Sequence, residues 1–176
     1  MKNSADRSNA PEAALLPLLR ERGESLATAE SCTGGDLARR FTELPGASAV
    51  FLGGVVSYAS SVKVAVLGVD ASLIERNGAV SRPVAAAMAG RVRKITGADY
   101  ALSTTGLAGP DGDGVHEVGT VFVGVASPEG VWVRELRLGA DKSRAEIRRL
   151  AGDEAFSLLL ALLRGEALPL AETYEV

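Results

Sequence analysis

The 176 residues predict an α/β fold, a three-layer α/β/α sandwich with a mixed sheet in a single domain. Three observations lead there. Helix-like and strand-like segments mostly alternate, and a β-hairpin stands late in the order. An apolar content of 47% is enough for one well-packed core in a chain too short for two domains of ordinary size.

The elements follow in chain order. Residues 1–10 are small and polar and are expected to form a disordered tail. Pro11 opens PEAALLPLLRERG, a helix with Leu15, Leu16, Leu18 and Leu19 on one face and Gly23 as its stop. SLATAES is a short strand. TGGDLARRFTEL is a second helix, with Leu37, Phe41 and Leu44 at helical spacing and Thr33 as N-cap. AVFLGGVVSY reads as a strand from its β-branched residues, SSVKVAVLGV as a short helix ending near Gly68, and DASLIERNG as a further helical turn. In SRPVAAAMAGRVRKITG, Ser81 is the expected cap and Val84, Ala87, Met88, Val92 and Ile95 the buried stripe. ADYALSTTG is a strand that runs into the glycine-rich loop LAGPDGDGVHEVG. TVFVGVA and VWVRELRL form the hairpin, and an amphipathic helix spans about Ser143 to Leu163. The domain is thus expected over residues 11–165, with a C-terminal tail over 166–176.

Composition narrows the partners. Nineteen basic against 22 acidic residues give a net charge of −3 and no general attraction for a polyanion, so nucleic acid is not expected as a partner. Cys32 is the only cysteine, which rules out an internal disulfide and suits a reducing compartment. No apolar run approaches the length of a bilayer span, so no membrane association is expected and the cytoplasm is the expected location.

In such sheets ligands gather at strand ends, and two loops qualify: TAESCTGG, residues 28–35, and STTGLAGPDGDG, residues 103–114. The first sets a carboxylate, a hydroxyl, a thiol and a second hydroxyl before two glycines. It fits a nucleophile at a strand end, a phosphate cradle or a polar cap. Ser31 or Thr33 would need a neighbouring base to attack a carbonyl. His116, the only histidine, and the lysines Lys2, Lys63, Lys94 and Lys142 are the bases available, and a Ser-His-Asp triad and a Ser-Lys pair both stay open. Asp111 and Asp113 read as turn formers, and no metal is expected. Arg144 and Arg148 are four residues apart on one helix face, a spacing that suits a phosphate.

TAESCTGG, VVSYASSVKVAVLGV, NGAVS, STTGLAGPDG and VGTVFVGVA, in that order, resemble the CinA C-terminal domain family, over roughly Leu15 to Leu163. That family includes nicotinamide-nucleotide amidohydrolases. The resemblance implies hydrolysis of nicotinamide mononucleotide to nicotinate mononucleotide and ammonia, a nucleotide substrate, a homodimer, and no cofactor. Carried over by position, it implies Ser31 as nucleophile, Lys63 as general base and Tyr58 beside them. Thr33, Thr105, Gly106 and Arg144 or Arg148 would bind substrate, with backbone N–H groups near Gly34 and Gly35 at the oxyanion. Two departures stand out: Ser60, Ser61 and Val62 replace an Asn-Glu-Ala-like stretch, and His116 and Glu117 replace a Lys-Pro. The alternatives are a non-catalytic nucleotide-binding or regulatory module associated with competence, and an enzyme in which Cys32 is the nucleophile.

Overall fold

The computed structural model describes residues 10–168 and 171–174. Helix α1 (Pro11–Arg22) leads through Gly23, whose left-handed φ of 67° ends it, to strand β1 (Leu26–Glu30). Then come α2 (Asp36–Thr42), a single 3-10 turn, β2 (Phe51–Val56), α3 (Ser60–Ala65), α4 (Ala71–Asn77) and α5 (Arg82–Thr96). Strands β3 (Tyr100–Gly106), β4 (Thr120–Ser127) and β5 (Gly130–Arg137) precede α6 (Arg144–Leu163) and β6 (Ala171–Tyr174).

The six strands form one sheet in the order β2-β1-β3-β4-β5-β6. β1 lies parallel to both β2 and β3, and the remaining pairings are antiparallel. The sheet is therefore mixed, as the late hairpin predicts. Its two faces bury separate cores. On one, Leu15, Leu19, Phe41, Ile147, Phe156 and Leu159 of α1, α2 and α6 pack against Leu26, Leu102 and Val123. On the other, Val84, Met88 and Val92 of α5 pack against Ala29, Ala101 and Val133. Burial of each large aliphatic or aromatic side chain contributes about 1.5–3 kcal/mol, so the two clusters together fix the three layers.

The polar buried groups tie the layers to one another. Arg40 of α2 donates to the Glu12 carboxylate of α1 at 3.0 and 2.7 Å and to Asp153 of α6 at 2.7 Å. Its guanidinium also lies 5.2 Å from the Phe156 ring centroid. At the other end of α6, Ser143 and Glu146 make a reciprocal capping box that fixes where the helix begins.

Four expectations need correction. Thr33 does not cap α2: the N-cap is Gly35, and the Thr33 hydroxyl is turned to Glu30. Ser81 makes no capping bond, because its hydroxyl donates to the Gly78 carbonyl. Ile95 is 56% exposed, since the last turn of α5 runs past the sheet. Residues 171–174, expected as part of a tail, instead pair with β5 as β6. The tail expected at the N-terminus lies, but for Ala10, outside the described residues.

Candidate active site

β1 sits inside the parallel part of the sheet, so the segment after Glu30 emerges between the C-terminal ends of β2 and β3. The Ser31 N–H continues the ladder by donating to the Thr104 carbonyl at 2.9 Å, and the Gly34 N–H closes a turn onto the Ser31 carbonyl at 3.0 Å. Beneath that turn lies a buried carboxylate. Glu30 accepts from the Thr33 hydroxyl at 2.7 Å and from the N–H groups of Gly35, Leu37 and Ala38 at 3.0, 3.0 and 2.9 Å. A negative group at a helix start satisfies N–H donors that have no partner within the helix. The Thr33 hydroxyl is also 2.7 Å from that of Thr104.

These bonds correct the expectation for Gly34 and Gly35 as oxyanion donors and for the Thr33 side chain as a substrate ligand. The Thr33 hydroxyl and the N–H groups of the two glycines already have protein partners, so none is free to meet a substrate or an oxyanion. Glu30, which sequence reasoning passed over, holds the turn instead. A carboxylate three residues before a hydroxyl and just ahead of a helix start is the signal that could have identified it.

The second side chain arrives from β2 and α3. The Ser57 N–H donates to the Glu30 carbonyl at 2.8 Å, which brings the link after β2 alongside the turn. α3 then carries Lys63 back toward Ser31. Its Nζ is 3.0 Å from Ser31 Oγ, 2.6 Å from the Ser57 carbonyl oxygen and 3.3 Å from that of Tyr58. Lys63 is only 1% exposed, and burial lowers its pKa from the usual lysine value. The neighbouring Cys32 thiol is pushed by burial up to about 12, so at neutral pH it carries no charge that would restore the ammonium. A neutral amine has two N–H groups and one lone pair. When Lys63 is deprotonated, the two carbonyls can accept its two N–H groups, and the lone pair is then left to face the Ser31 hydroxyl proton.

Ser31, Cys32, Tyr58 and Lys63 line a cleft of about 230 Å³, closed on the far side by Ala79, Val80 and the β3–β4 loop and at its mouth by Arg144. Arg144 donates to the Tyr58 hydroxyl at 2.7 Å and to the Gly109 carbonyl. The Tyr58 side chain is 59% exposed, so its ring stands at the rim and it meets Lys63 through its backbone carbonyl alone. Thr105 lines the cleft, but its hydroxyl proton is committed to the Ala79 carbonyl at 2.8 Å. Gly106 is required by packing: a Cβ there would stand 2.7 Å from the Thr120 carbonyl oxygen and the Val121 Cα.

Arg148 is not in the cleft. Its Nε and Nη2 both donate to the Thr33 carbonyl, at 3.0 and 2.6 Å, from the opposite side of the turn. Its expected place as a substrate ligand is thereby corrected, and the same spacing that put it on one face with Arg144 sends the two guanidiniums to different loops. His116 packs edge-on against Phe122 at 5.7 Å and is not among the residues lining the Ser31 cleft. Asp113 accepts from the N–H groups of Val115 and His116 and shapes its own turn. No group of three or more His, Cys, Asp or Glu side chains placed to hold a metal occurs among the described residues. No helix among them is long and apolar enough to cross a membrane.

The sequence and the fold have counterparts among known proteins. A family model described as the CinA C-terminal domain matches residues 8–163. A CinA-like protein from Frankia casuarinae is 49% identical over 154 residues, covering 88% of this chain and 35% of that protein. A putative competence-damage inducible protein from Caldanaerobacter subterraneus is 44% identical over 158 residues, covering 89% of this chain and 38% of its own length. The chain thus spans little more than a third of the curated relatives it matches. Among solved structures, the competence/damage inducible protein CihA from Agrobacterium tumefaciens superposes with a TM-score of 0.86 at 34% identity, covering 92% of this chain and 99% of that one. A competence-damaged protein (CinA) superfamily protein from Escherichia coli gives 0.84 at 29% identity, over 92% and 94% of the two chains.

Proposed function

This chain belongs to the CinA C-terminal domain family, and we propose that it is an amidohydrolase that converts nicotinamide mononucleotide to nicotinate mononucleotide and ammonia. The observation that carries the proposal is the buried Lys63 Nζ, 3.0 Å from Ser31 Oγ and 2.6 and 3.3 Å from the carbonyl oxygens of Ser57 and Tyr58.

The steps follow from that pair. Ser31 Oγ attacks the carboxamide carbon while its proton passes to Lys63, and the carbonyl π pair moves onto oxygen. As the tetrahedral adduct collapses, the C–N bond breaks and the Lys63 ammonium returns the proton to the departing nitrogen as ammonia. Water then attacks the acyl ester, giving a proton to Lys63. The C–O bond to Ser31 breaks, Lys63 reprotonates the serine, and the acid product gives its remaining proton to solvent and leaves as the carboxylate. Arg144 is the group that meets the 5′-phosphate, because a guanidinium has five N–H donors and the Tyr58 and Gly109 bonds use two. The proposal carries with it a cytoplasmic, homodimeric protein without a cofactor.

The names of two relatives as competence-damage inducible proteins are what favour the second reading, a non-catalytic nucleotide-binding module. Incubation with nicotinamide mononucleotide, following ammonia and nicotinate mononucleotide, separates the two. We expect turnover that Ser31→Ala and Lys63→Ala each lower by at least about a hundredfold. Tight nucleotide binding by the intact protein with no ammonia released would sink the enzyme in favour of the module.

A further inference from the structure

We propose that Arg148 is a positioning residue: through the Thr33 carbonyl it sets the Ser31–Gly34 turn so that the backbone N–H groups of Cys32 and Thr33 receive the oxyanion. The proposal rests on Ser31 being the nucleophile, and it assigns the oxyanion donors that Gly34 and Gly35 cannot supply.

Most of the N–H donors in this turn are already committed. The Ser31 N–H goes to Thr104, that of Gly34 to Ser31, that of Gly35 to Glu30 and that of Asp36 to Thr33. Leu37 and Ala38 donate to Glu30. Two N–H groups are left. That of Cys32 meets only its own sulfur, a weak acceptor, and that of Thr33 meets no acceptor among the described residues. Both belong to buried residues, where an N–H without a strong partner is costly. They are the two central donors of a turn closed from Gly34 to Ser31, they follow the nucleophile directly, and Cys32 lines the cleft. An oxyanion formed on Ser31 would supply the missing acceptor, and donors fixed in advance are the kind that stabilise such a charge.

What fixes them is a clamp from two sides. The Glu30 carboxylate holds the Thr33 hydroxyl from beneath, and Arg148 grips the Thr33 carbonyl with two N–H groups from outside. A residue whose side chain and carbonyl are both held has little freedom left in its backbone dihedrals, so its own N–H is held in direction as well. Arg148 does this without touching the cleft, on the same helix as Arg144 but on the other side of the turn.

A fluorophosphonate tests the clamp independently of the natural substrate. In that reaction Ser31 Oγ forms the bond to phosphorus, fluoride departs, the serine proton passes to Lys63, and the phosphoryl oxygen occupies the oxyanion position. We expect Arg148→Ala and Arg148→Gln to label about 10- to 100-fold more slowly than the intact protein, the scale of a misplaced catalytic geometry. With nicotinamide mononucleotide, kcat should fall by a similar factor while KM stays within about twofold. Arg148→Lys should recover part of the rate, and guanidinium ion at a non-denaturing concentration should speed Arg148→Ala but not the intact protein. Arg149→Ala, one residue along and paired with Asp153, should label at the normal rate. Normal labelling by Arg148→Ala or Arg148→Gln with an unchanged melting curve would overturn the proposal, as would a raised KM with kcat unaltered. Slowed labelling by these variants without any turnover of nicotinamide mononucleotide would support the clamp and sink the substrate assignment alone. No labelling of the intact protein would remove Ser31 as nucleophile, and this proposal with it.

Discussion

A lysine buried without a carboxylate partner is expensive to keep charged, and Lys63 is 1% exposed with only a hydroxyl and two carbonyls around its nitrogen. Desolvation lowers its pKa, so the neutral base is populated at lower pH than for a free lysine. The sign for activity follows directly. Log kcat/KM on nicotinamide mononucleotide should rise with pH at a slope of about one while Lys63 is charged, then level off below the ordinary lysine range. A profile that keeps climbing to the unperturbed lysine pKa would count against Lys63 as the base. Cys32 predicts the opposite of a nucleophile: with its thiol pushed up to about 12 and 5% exposed, it should resist alkylation near neutral pH. Cys32→Ala should keep turnover within about threefold, measured by ammonia release. At this scale the individual candidates are legible in the residues, but spacing alone does not pair them, and only the family resemblance implies Lys63 as the partner of Ser31. Ser31 and Lys63 are 32 residues apart, and the parallel pairing of β1 with β2, continued by the bond from Ser57 to Glu30, brings them together. Arg144 and Arg148 shared a face by spacing, yet which loop each reaches depends on how α6 crosses the sheet.

The elements were more legible because helical spacing and turn residues act locally. α5, α6 and the hairpin follow from apolar periodicity, and the capping box of α6 is written in Ser143 and Glu146. The misread features depend on tertiary partners: Glu30, from a strand end, displaced Thr33 at the start of α2, and Ser81 turned to Gly78. Two substitutions probe how the elements support the site. Gly106→Ala would press its Cβ to 2.7 Å from the Thr120 carbonyl oxygen, where a backbone neighbour cannot swing aside. The β3–β4 ladder beside the cleft should open, lowering both turnover and the melting temperature. Arg40→Ala removes the cation between Glu12 and Asp153 and leaves a carboxylate buried in α1. Breaking such a pair typically costs about 3–5 kcal/mol, which denaturant unfolding should show, while KM of the folded fraction stays unchanged.

The candidate chemistry stands at one end of the molecule, on the parallel half of the sheet, and the antiparallel half extends away from it. β6 closes the far edge: it pairs with β5, Tyr174 packs on the α5-side core, and Glu172 lies 3.1 Å from Arg82, which also meets Glu135 at 2.7 Å. Three strand spacings, about 14 Å, separate β6 from β3, and no residue of β6 lines the Ser31 cleft. The sequence alone does not mark this segment as a strand, because AETY is too short and too polar to announce one by itself. Its pairing partner, the apolar hairpin arm β5, supplies the register. Stability and activity should therefore separate when the chain is ended at Leu168. β5 would become the edge, Val131 and Val133 would lose their cover, and Arg82 would keep Glu135 alone. A loss on the order of 1–2 kcal/mol corresponds to a melting temperature lower by about 2–8 °C for a chain of this length. Turnover of nicotinamide mononucleotide at 25 °C should remain within about twofold of the full chain, because the Ser31 turn, α3 and the first turn of α6 keep all their contacts. Loss of turnover at a temperature where the shortened chain is still folded would show instead that the far edge of the sheet shapes the cleft.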